Sequence, residues 1–392
     1  MMRKIKIFVC FIKSFFFYTA AFAIAKTIYR KKNIWLFSER GYDARDNALF
    51  LFNYVRKAHP EIDARYVISF DSVDKDKING PIVSYQTFKH YILFFAAKLL
   101  ISTHVRGAYP GNSFYGFLKE KLNVDVAHGR KVFLQHGVIK DDLKKLYKEI
   151  AGVDLFICGA KPEFDYIRKT FHYSDKELKY TGLPRFDSLH NFNVKNQILV
   201  MPTWRWWLSP SFDSEFTEKK LLNSDYYKCW NAFLHNNELE NILNQNDLQL
   251  IFYPHYEMQK FLNLFRTPFS RVKIADFSNY DVQTLLKESK LLITDFSSVF
   301  FDFAYMRKPI IYYQFDELEF RKNHYQEGYF DYRRDGFGGV VVNEQQLLNE
   351  ISKCVHNNFV LEESFNERIN RFFPLFDTSN CQRVFEECLR IV

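Results

Sequence analysis

One pattern governs the chain from Asn33 onward: a short apolar run, a polar break, a helical stretch, then another apolar run. The segment "NIWLFSERG" reads as a strand ending in a polar loop, and "NALFLFNYVRKAHP" as an amphipathic helix stopped by Pro60. The runs "ARYVIS", "PIVSY", "LLISTH", "KVFLQHG" and "LFICGA" continue the series, with helical patterns such as "TFKHYILFFAAKLL" and "KPEFDYIRKTF" between them. Strands alternating with helices predict an α/β fold built on a mostly parallel sheet covered on both faces.

The stretch "LKYTGLPRFDSLHNFNVKN", with Gly182, Pro184 and several Asn, breaks this rhythm and reads as an interdomain connection. A second series follows: "QILVMPTWR", "LQLIFYPH", "RVKIAD", "LLITDFSS", "PIIYYQ" and "GGVVV". A chain of 392 residues is long enough for two cores. The expected organisation is a leading segment over residues 1–32, a first doubly wound domain over 33–190 and a second over 191–392. Two such halves imply a cleft toward which strand C-termini and helix N-termini point.

The leading segment, "MMRKIKIFVCFIKSFFFYTAAFAIAKTIYRKK", admits three readings. Ala21-Phe22-Ala23 and Ala23-Ile24-Ala25 resemble signal-peptide cleavage sites. The basic fringe suits an in-plane amphipathic anchor, the reading preferred here. The third is an ordinary first helix packed on the domain. Lys6 and Lys13 interrupt the apolar run, and the clean stretch from Ser14 to Ala25 falls short of the ~20 residues that span a bilayer.

A net charge of +8 suits a partner that carries phosphates: nucleic acid, an anionic membrane or an anionic polymer. Six cysteines, at 10, 158, 229, 354, 381 and 388, form no CxxC pair and no zinc spacing with His, which points to a reduced, cytosol-facing protein. No G-x-G-x-x-G follows the first strand and no G-x-x-x-x-G-K-[ST] occurs, so neither a dinucleotide fingerprint nor a P-loop is present.

Chemistry-bearing residues gather where apolar strands end: His136 in "FLQHG", Arg185 in "TGLPRFDSL", Thr203 and Arg205 in "MPTWR", and His255 in "FYPHYEM". The same holds for Asp295, Ser297 and Ser298 in "ITDFSS", and Glu327 and Asp331 lie in "EGYFDY". Singly, each has a plain structural reading. A lone strand-end His is more often satisfied locally than catalytic, Ser297-Ser298 can be only an N-cap, and the two Arg can be surface cations. Jointly they fit phosphoryl transfer. Hydroxyls, backbone N–H groups and guanidinium forks suit a diphosphate, and a neutral His suits an alcohol acceptor. No D-x-D stands at a strand end, so no metal site is expected and no cofactor is called for.

The chain resembles the CDP-glycerol:poly(glycerol phosphate) glycerophosphotransferases, the group of teichoic acid primases, polymerases and related capsule polymerases. The resemblance runs from about Asn33 to the C-terminus and rests on "QHG", "TGLPRFDSL", "ILVMPTWR", "YPH", "LLITDFSSVFFDFAYMRKPIIYY" and "EGYFDY", in that order. It implies a GT-B-like architecture of two Rossmann-like domains, with the donor bound mainly by the second. It implies that His136 is the base and His255 a second essential His, and that Ser297 and Ser298 lie near the donor phosphates. Arg185, Thr203, Arg205, Glu327 and Asp331 match recurrent polar positions; Asp295 either fixes its loop or touches the donor. Val138 stands where the family commonly has Pro, and Pro254 precedes His255 where the order is often reversed.

The expected substrate is CDP-glycerol or a related CDP-polyol, and the acceptor is lipid-linked or polymeric; nucleic acid is not an expected partner. A cytosolic nucleotide donor favours a peripheral enzyme on the cytoplasmic face of an anionic membrane. Another polyol phosphate such as CDP-ribitol, a nucleotide-sugar hexosyltransferase, and a catalytically silent assembly partner remain alternatives.

Overall fold

The computed structural model describes residues 2–111, 117–119, 121–122 and 124–392, and the side chains of residues 2–10, Lys6 and Cys10 among them, lie outside the described residues. The chain divides into two compact units: Met1–His136, Lys144–Asp187 and Asp377–Val392 form the first, Gly137–Leu143 and Ser188–Phe376 the second.

The first unit holds a seven-stranded sheet. Its strands are β1 (Ile34–Ser38), β2 (Asp63–Ile68), β3 (Ile82–Ser84), β4 (Leu99–Ser102), β5 (Arg130–Phe133), β6 (Leu155–Cys158) and β7 (Leu178–Tyr180). They lie in the order β3-β2-β1-β4-β5-β6-β7, and every neighbouring pair is parallel. The second unit repeats the plan in six strands: β8 (Gln197–Met201), β9 (Gln249–Phe252), β10 (Val272–Ile274), β11 (Leu291–Thr294), β12 (Ile310–Tyr313) and β13 (Gly338–Val341). Their order is β10-β9-β8-β11-β12-β13, again all parallel. Both sheets thus begin in the Rossmann order 3-2-1-4-5-6, which reverses direction beside its first strand and opens a crevice at the strand C-termini there.

The apolar runs are uninterrupted because both faces of the central strands are covered. Every residue of β1, β4, β8, β11 and β12 is buried. In the second unit Trp230, Tyr313, Phe252 and Leu250 anchor the core. Helix ends follow local chemistry: Asp46 caps Asn47–Ala58, Thr87 caps Phe88–Ala96 and Asn343 caps Glu344–His356.

Two crossings depart from the single expected boundary at residue 190. The C-terminal helix Asn380–Arg390, expected in the second domain, belongs to the first unit. Asp187 accepts the N–H groups of Asn380 and Cys381, and Phe385 stacks on His59 at 3.7 Å. Conversely, Gly137–Leu143 belongs to the second unit, where Asp141–Asp142 pairs antiparallel with Gln326–Glu327.

The leading segment is a helix, α1 (Met2–Thr27), and it is not separate from the first unit. Ser14, Tyr18, Ala21 and Ala25 are buried at helical spacing against the helix Phe88–Ala96. The Tyr18 ring meets Tyr91 at 5.1 Å and its hydroxyl donates to the Pro110 carbonyl at 2.7 Å. The docked-helix reading therefore describes this face, while Ile12, Phe15 and Phe16 on the other side are exposed. Among the described residues no helix is long and apolar enough to cross a membrane.

Candidate active site

In the first unit the loops after β1 and β4 flank the sheet's reversal point, and both bear on His136, which follows β5. The His136 ring lies parallel to that of His104, centroids 5.1 Å apart, and is hydrogen-bonded to the Thr103 backbone. That bond holds one ring nitrogen and leaves the other to accept a proton. The surrounding protein, and then the charges of Arg185, Arg40 and Lys145, lower the His136 pKa to about 4. The ring has a solvent-open face, and water there screens these charges. The Thr103 bond opposes them, and the net direction is downward: the imidazole stays neutral at physiological pH, as a base must.

The backbone that aims His136 is unusual. Gln135, immediately before it, has φ 61°, a left-handed conformation that costs a non-glycine residue about 1–3 kcal/mol. Its side-chain amide donates to the Ile157 carbonyl, and Asn47 Nδ2 donates to the Gln135 carbonyl at 2.9 Å. Asn47 Oδ1 in turn accepts the Arg185 N–H at 3.1 Å, so one amide ties the "LQHG" and "LPR" loops together. Glu39 fixes the same helix start by accepting the N–H groups of Arg45 and Asp46 at 2.9 and 2.8 Å.

Arg185, a donor-binding candidate from the stretch expected to end the first domain, lies in the first unit after β7, buried, with its guanidinium 2.6 Å from Asp46. Its placement follows from the first sheet extending through "LKY", so "LPR" ends a strand of the first unit. His104, Asp46 and Asn47 were missed in the sequence. "LLISTH" does carry the strand-then-His signal, whereas Asp46 and Asn47 read only as a helix cap.

The second unit gathers Thr203, Arg205, His255, Asp295, Ser297 and Ser298 at the C-terminal edge of its sheet, with Thr203 and Asp295 on either side of the reversal between β8 and β11. Arg205 is held differently. It is fully buried and its five N–H groups are spent on protein: Asp316 at 2.7 and 2.8 Å, Asp295 at 2.9 Å, and the carbonyls of Thr203 at 2.7 Å and Trp204 at 3.5 Å. Burial alone would lower its pKa, but Asp295 and Asp316 outweigh that and raise it. It is a positioning residue rather than a ligand for the donor.

Asp295 is likewise engaged within the protein. Its Oδ1 accepts the N–H groups of Thr203 and Phe296 at 2.7 and 2.6 Å, and Oδ2 meets Arg205. Asp295 therefore fixes the two loops that flank the reversal. Thr203 itself is buried, and its hydroxyl has no partner among the described residues.

Ser297 and Ser298 are half-buried in the turn before the short helix Phe300–Tyr305. Ser297 Oγ accepts the Val299 N–H at 3.4 Å, a weak cap. His255 Nδ1 accepts the Glu257 N–H at 3.2 Å, which leaves the proton of a neutral ring on Nε2, and the ring stacks near Trp204 at 5.8 Å. Glu327 is exposed in the short ribbon, and Asp331 accepts the Arg334 N–H at 2.6 Å to close a turn.

Lys140 and Arg321 were also missed. Buried Lys140 pairs with Asp141, which pairs with Arg321 at 2.8 Å. Desolvation lowers the Lys140 pKa, against the pull of Asp141.

Two Rossmann-order units, each with its polar residues at the strand C-termini, define a GT-B-like α/β protein. Among solved structures, that of the wall teichoic acid polymerase TagF matches with a TM-score of 0.71 at 18% identity, covering 100% of this chain and 98% of that one. The S. aureus MnaA–UDP co-structure matches at 0.54 and 11% identity, covering 92% and 98%. The chain belongs to the CDP-glycerol:poly(glycerophosphate) glycerophosphotransferase family, whose model matches residues 18–390. Minor teichoic acid biosynthesis protein GgaB of Bacillus subtilis (strain 168) is 32% identical over 375 residues, which are 93% of this chain and 40% of that protein. A teichoic acid poly(glycerol phosphate) polymerase of Bacillus spizizenii is 26% identical over 404 residues, 95% of this chain and 96% of the relative.

Proposed function

We propose that the protein transfers glycerol phosphate from CDP-glycerol to a hydroxyl of a lipid-linked or polymeric acceptor, releasing CMP, in the synthesis of a teichoic-acid-like or capsular polymer. The observation that carries this reading is His136: a neutral, backbone-anchored imidazole with one nitrogen left for a proton. The family membership and the named relatives support the donor and the polymer class.

In the proposed reaction the acceptor oxygen attacks the glycerol-side phosphorus and its proton passes to His136. A new P–O bond forms, the phosphoanhydride bond breaks, and CMP leaves with the electron pair. Such a transfer depends chiefly on positioning and on stabilising phosphate charge. On the donor side these tasks fall to the Thr203 hydroxyl, the Ser297-Ser298 turn and His255, held in place by Asp295 and Arg205. Glu327 is the exposed carboxylate near this edge available to donor hydroxyls. The reading is tested by incubating the protein and acceptor-bearing membranes with CDP-glycerol, CDP-ribitol and UDP-sugars. CMP release confined to a CDP-polyol is expected; UDP release from a sugar donor would contradict it.

Replacing Ser297 and Ser298 together with Leu should weaken CDP-glycerol binding, because bulk at this turn blocks oxygens from its N–H groups. Calorimetric titration checks this, and unchanged affinity would leave the pair with a capping role alone.

The exposed face of α1, with Lys13, Lys26 and the run Arg30-Lys31-Lys32 nearby, supports peripheral binding to the cytoplasmic face of an anionic membrane. Deleting the helix would bare Tyr91 and Phe95, so substitution of its outer face is the cleaner test. Phe15→Glu with Phe16→Glu should reduce cosedimentation with anionic vesicles while leaving thermal unfolding near that of the parent protein. Undiminished cosedimentation would remove α1 as the anchor.

A further inference from the structure

Among the described residues, several buried polar atoms without partners lie around the C-terminal edge of the second unit's sheet. They include Thr203 Oγ1, Gln314 Oε1, Arg321 Nε, His324 Nε2 and the Tyr332 hydroxyl. Such atoms are rare in a folded protein because each leaves a desolvated group unpaired. His324 is the most informative. It is only 8% exposed, and the Trp206 N–H donates to its Nδ1 at 3.3 Å. With Nδ1 accepting, the neutral ring carries its proton on Nε2, and that N–H has no partner among the described residues.

The ring cannot readily turn away. It stacks on Phe320 at 4.6 Å and meets Trp204 edge-on at 5.0 Å. Phe320 in turn stacks on Phe296 at 3.9 Å, the residue directly before Ser297. The Arg321 guanidinium lies 5.9 Å from the rings of both Phe296 and Tyr332, and Lys140 Nζ lies 5.6 Å from Tyr332. Lys140 and Arg321 share one carboxylate, Asp141.

We propose that His324 and Arg321 are donor-binding residues, whose Nε2–H and Nε–H receive oxygens of the nucleotide's diphosphate. The assignment rests on the transferase reading above and adds the residues that grip the leaving group. A largely buried site with N–H groups left to donate matches an anion with several oxygens better than a base or a polyol. Burial, then Arg205, Lys140 and His255, holds the His324 pKa down to about 2, so the ring donates as a neutral group rather than as a cation. Its position also explains why it escapes a search of strand ends: His324 closes the helix Glu317–Asn323.

The test is calorimetric titration of the parent protein and His324→Phe with CDP-glycerol and with cytidine. Phe keeps the stack on Phe320 and removes the N–H. A hydrogen bond to a charged group implies that CDP-glycerol affinity falls about 10- to 100-fold while cytidine, which lacks phosphate, binds as before. Equal weakening of both ligands would assign His324 to scaffolding and overturn the proposal, as would unchanged CDP-glycerol affinity. Should His324→Phe fail to fold, the His324 Nε2–H proton resonance of the parent protein, assigned with His324→Gln, serves instead. It should move downfield with CDP-glycerol and not with cytidine; indifference to both overturns the proposal. A parent protein that binds no CDP-polyol would refute the transferase reading itself, a result distinct from either of these.

Discussion

His136→Ala is expected to lower turnover by about 10²–10⁴-fold, the usual cost of a lost general base, while leaving CDP-glycerol binding largely intact. The binding half of this expectation follows from the fold, because His136 follows β5 in the first unit and the candidate donor residues belong to the second. His136→Gln separates base from brace, since it can keep a hydrogen bond to the Thr103 carbonyl yet cannot take a proton. Near-normal CMP release by His136→Gln at saturating CDP-glycerol would exclude the base assignment. The pH profile offers a second check. Protonation silences the base, and with the His136 pKa lowered from 6.5 to about 4, the acid limb of kcat/KM should set in below the ordinary histidine range. An acid limb at 6.5 or above would argue that another group takes the proton.

The other large effect concerns Arg205. Replacing it by Met leaves Asp295 and Asp316 buried without their cation, and breaking such a group typically destabilises by about 3–5 kcal/mol. The loss should appear as a lower urea midpoint for the second unit. Adding Asp295→Asn and Asp316→Asn to Arg205→Met should recover part of it, because the penalty lies in the stranded carboxylates rather than in the missing contact. A loss below about 1 kcal/mol would mean that the carboxylates find other partners, and that Arg205 does not organise the strand ends.

The parallel sheets were legible because their strands are buried on both faces and so write themselves as unbroken apolar runs: "WLF", "LLI", "ILV" and "LLIT". The placement of candidate residues at strand ends was legible for the same reason, and this covers the positions of His136, Thr203, His255 and the Ser pair. Residues placed by tertiary pairing were not. Lys140 stands in the charged stretch "KDDLKKLYK" and looks solvated, yet it is buried because Asp141–Asp142 pairs with a ribbon far along the chain. Arg205 had the local signature of a ligand, and only Asp316, more than a hundred residues away, shows that it is spent. The transfer of the C-terminal helix to the first unit was equally hidden, since it depends on Asp187 accepting two N–H groups from that helix. The stripe Ser14, Tyr18, Ala21 and Ala25 forms the docking face, whereas the basic fringe of the segment favoured the anchor reading.

The central claim is that a phosphoryl unit, and not the polyol alone, is transferred. CDP-glycerol labelled with ³²P at the glycerol-side phosphorus decides this in one reaction with acceptor-bearing membranes. The account predicts that the label moves into the acceptor and that the released nucleotide is unlabelled CMP. Label retained on the nucleotide, released as CDP, would mean that the C–O bond of the glycerol breaks instead, and would contradict it.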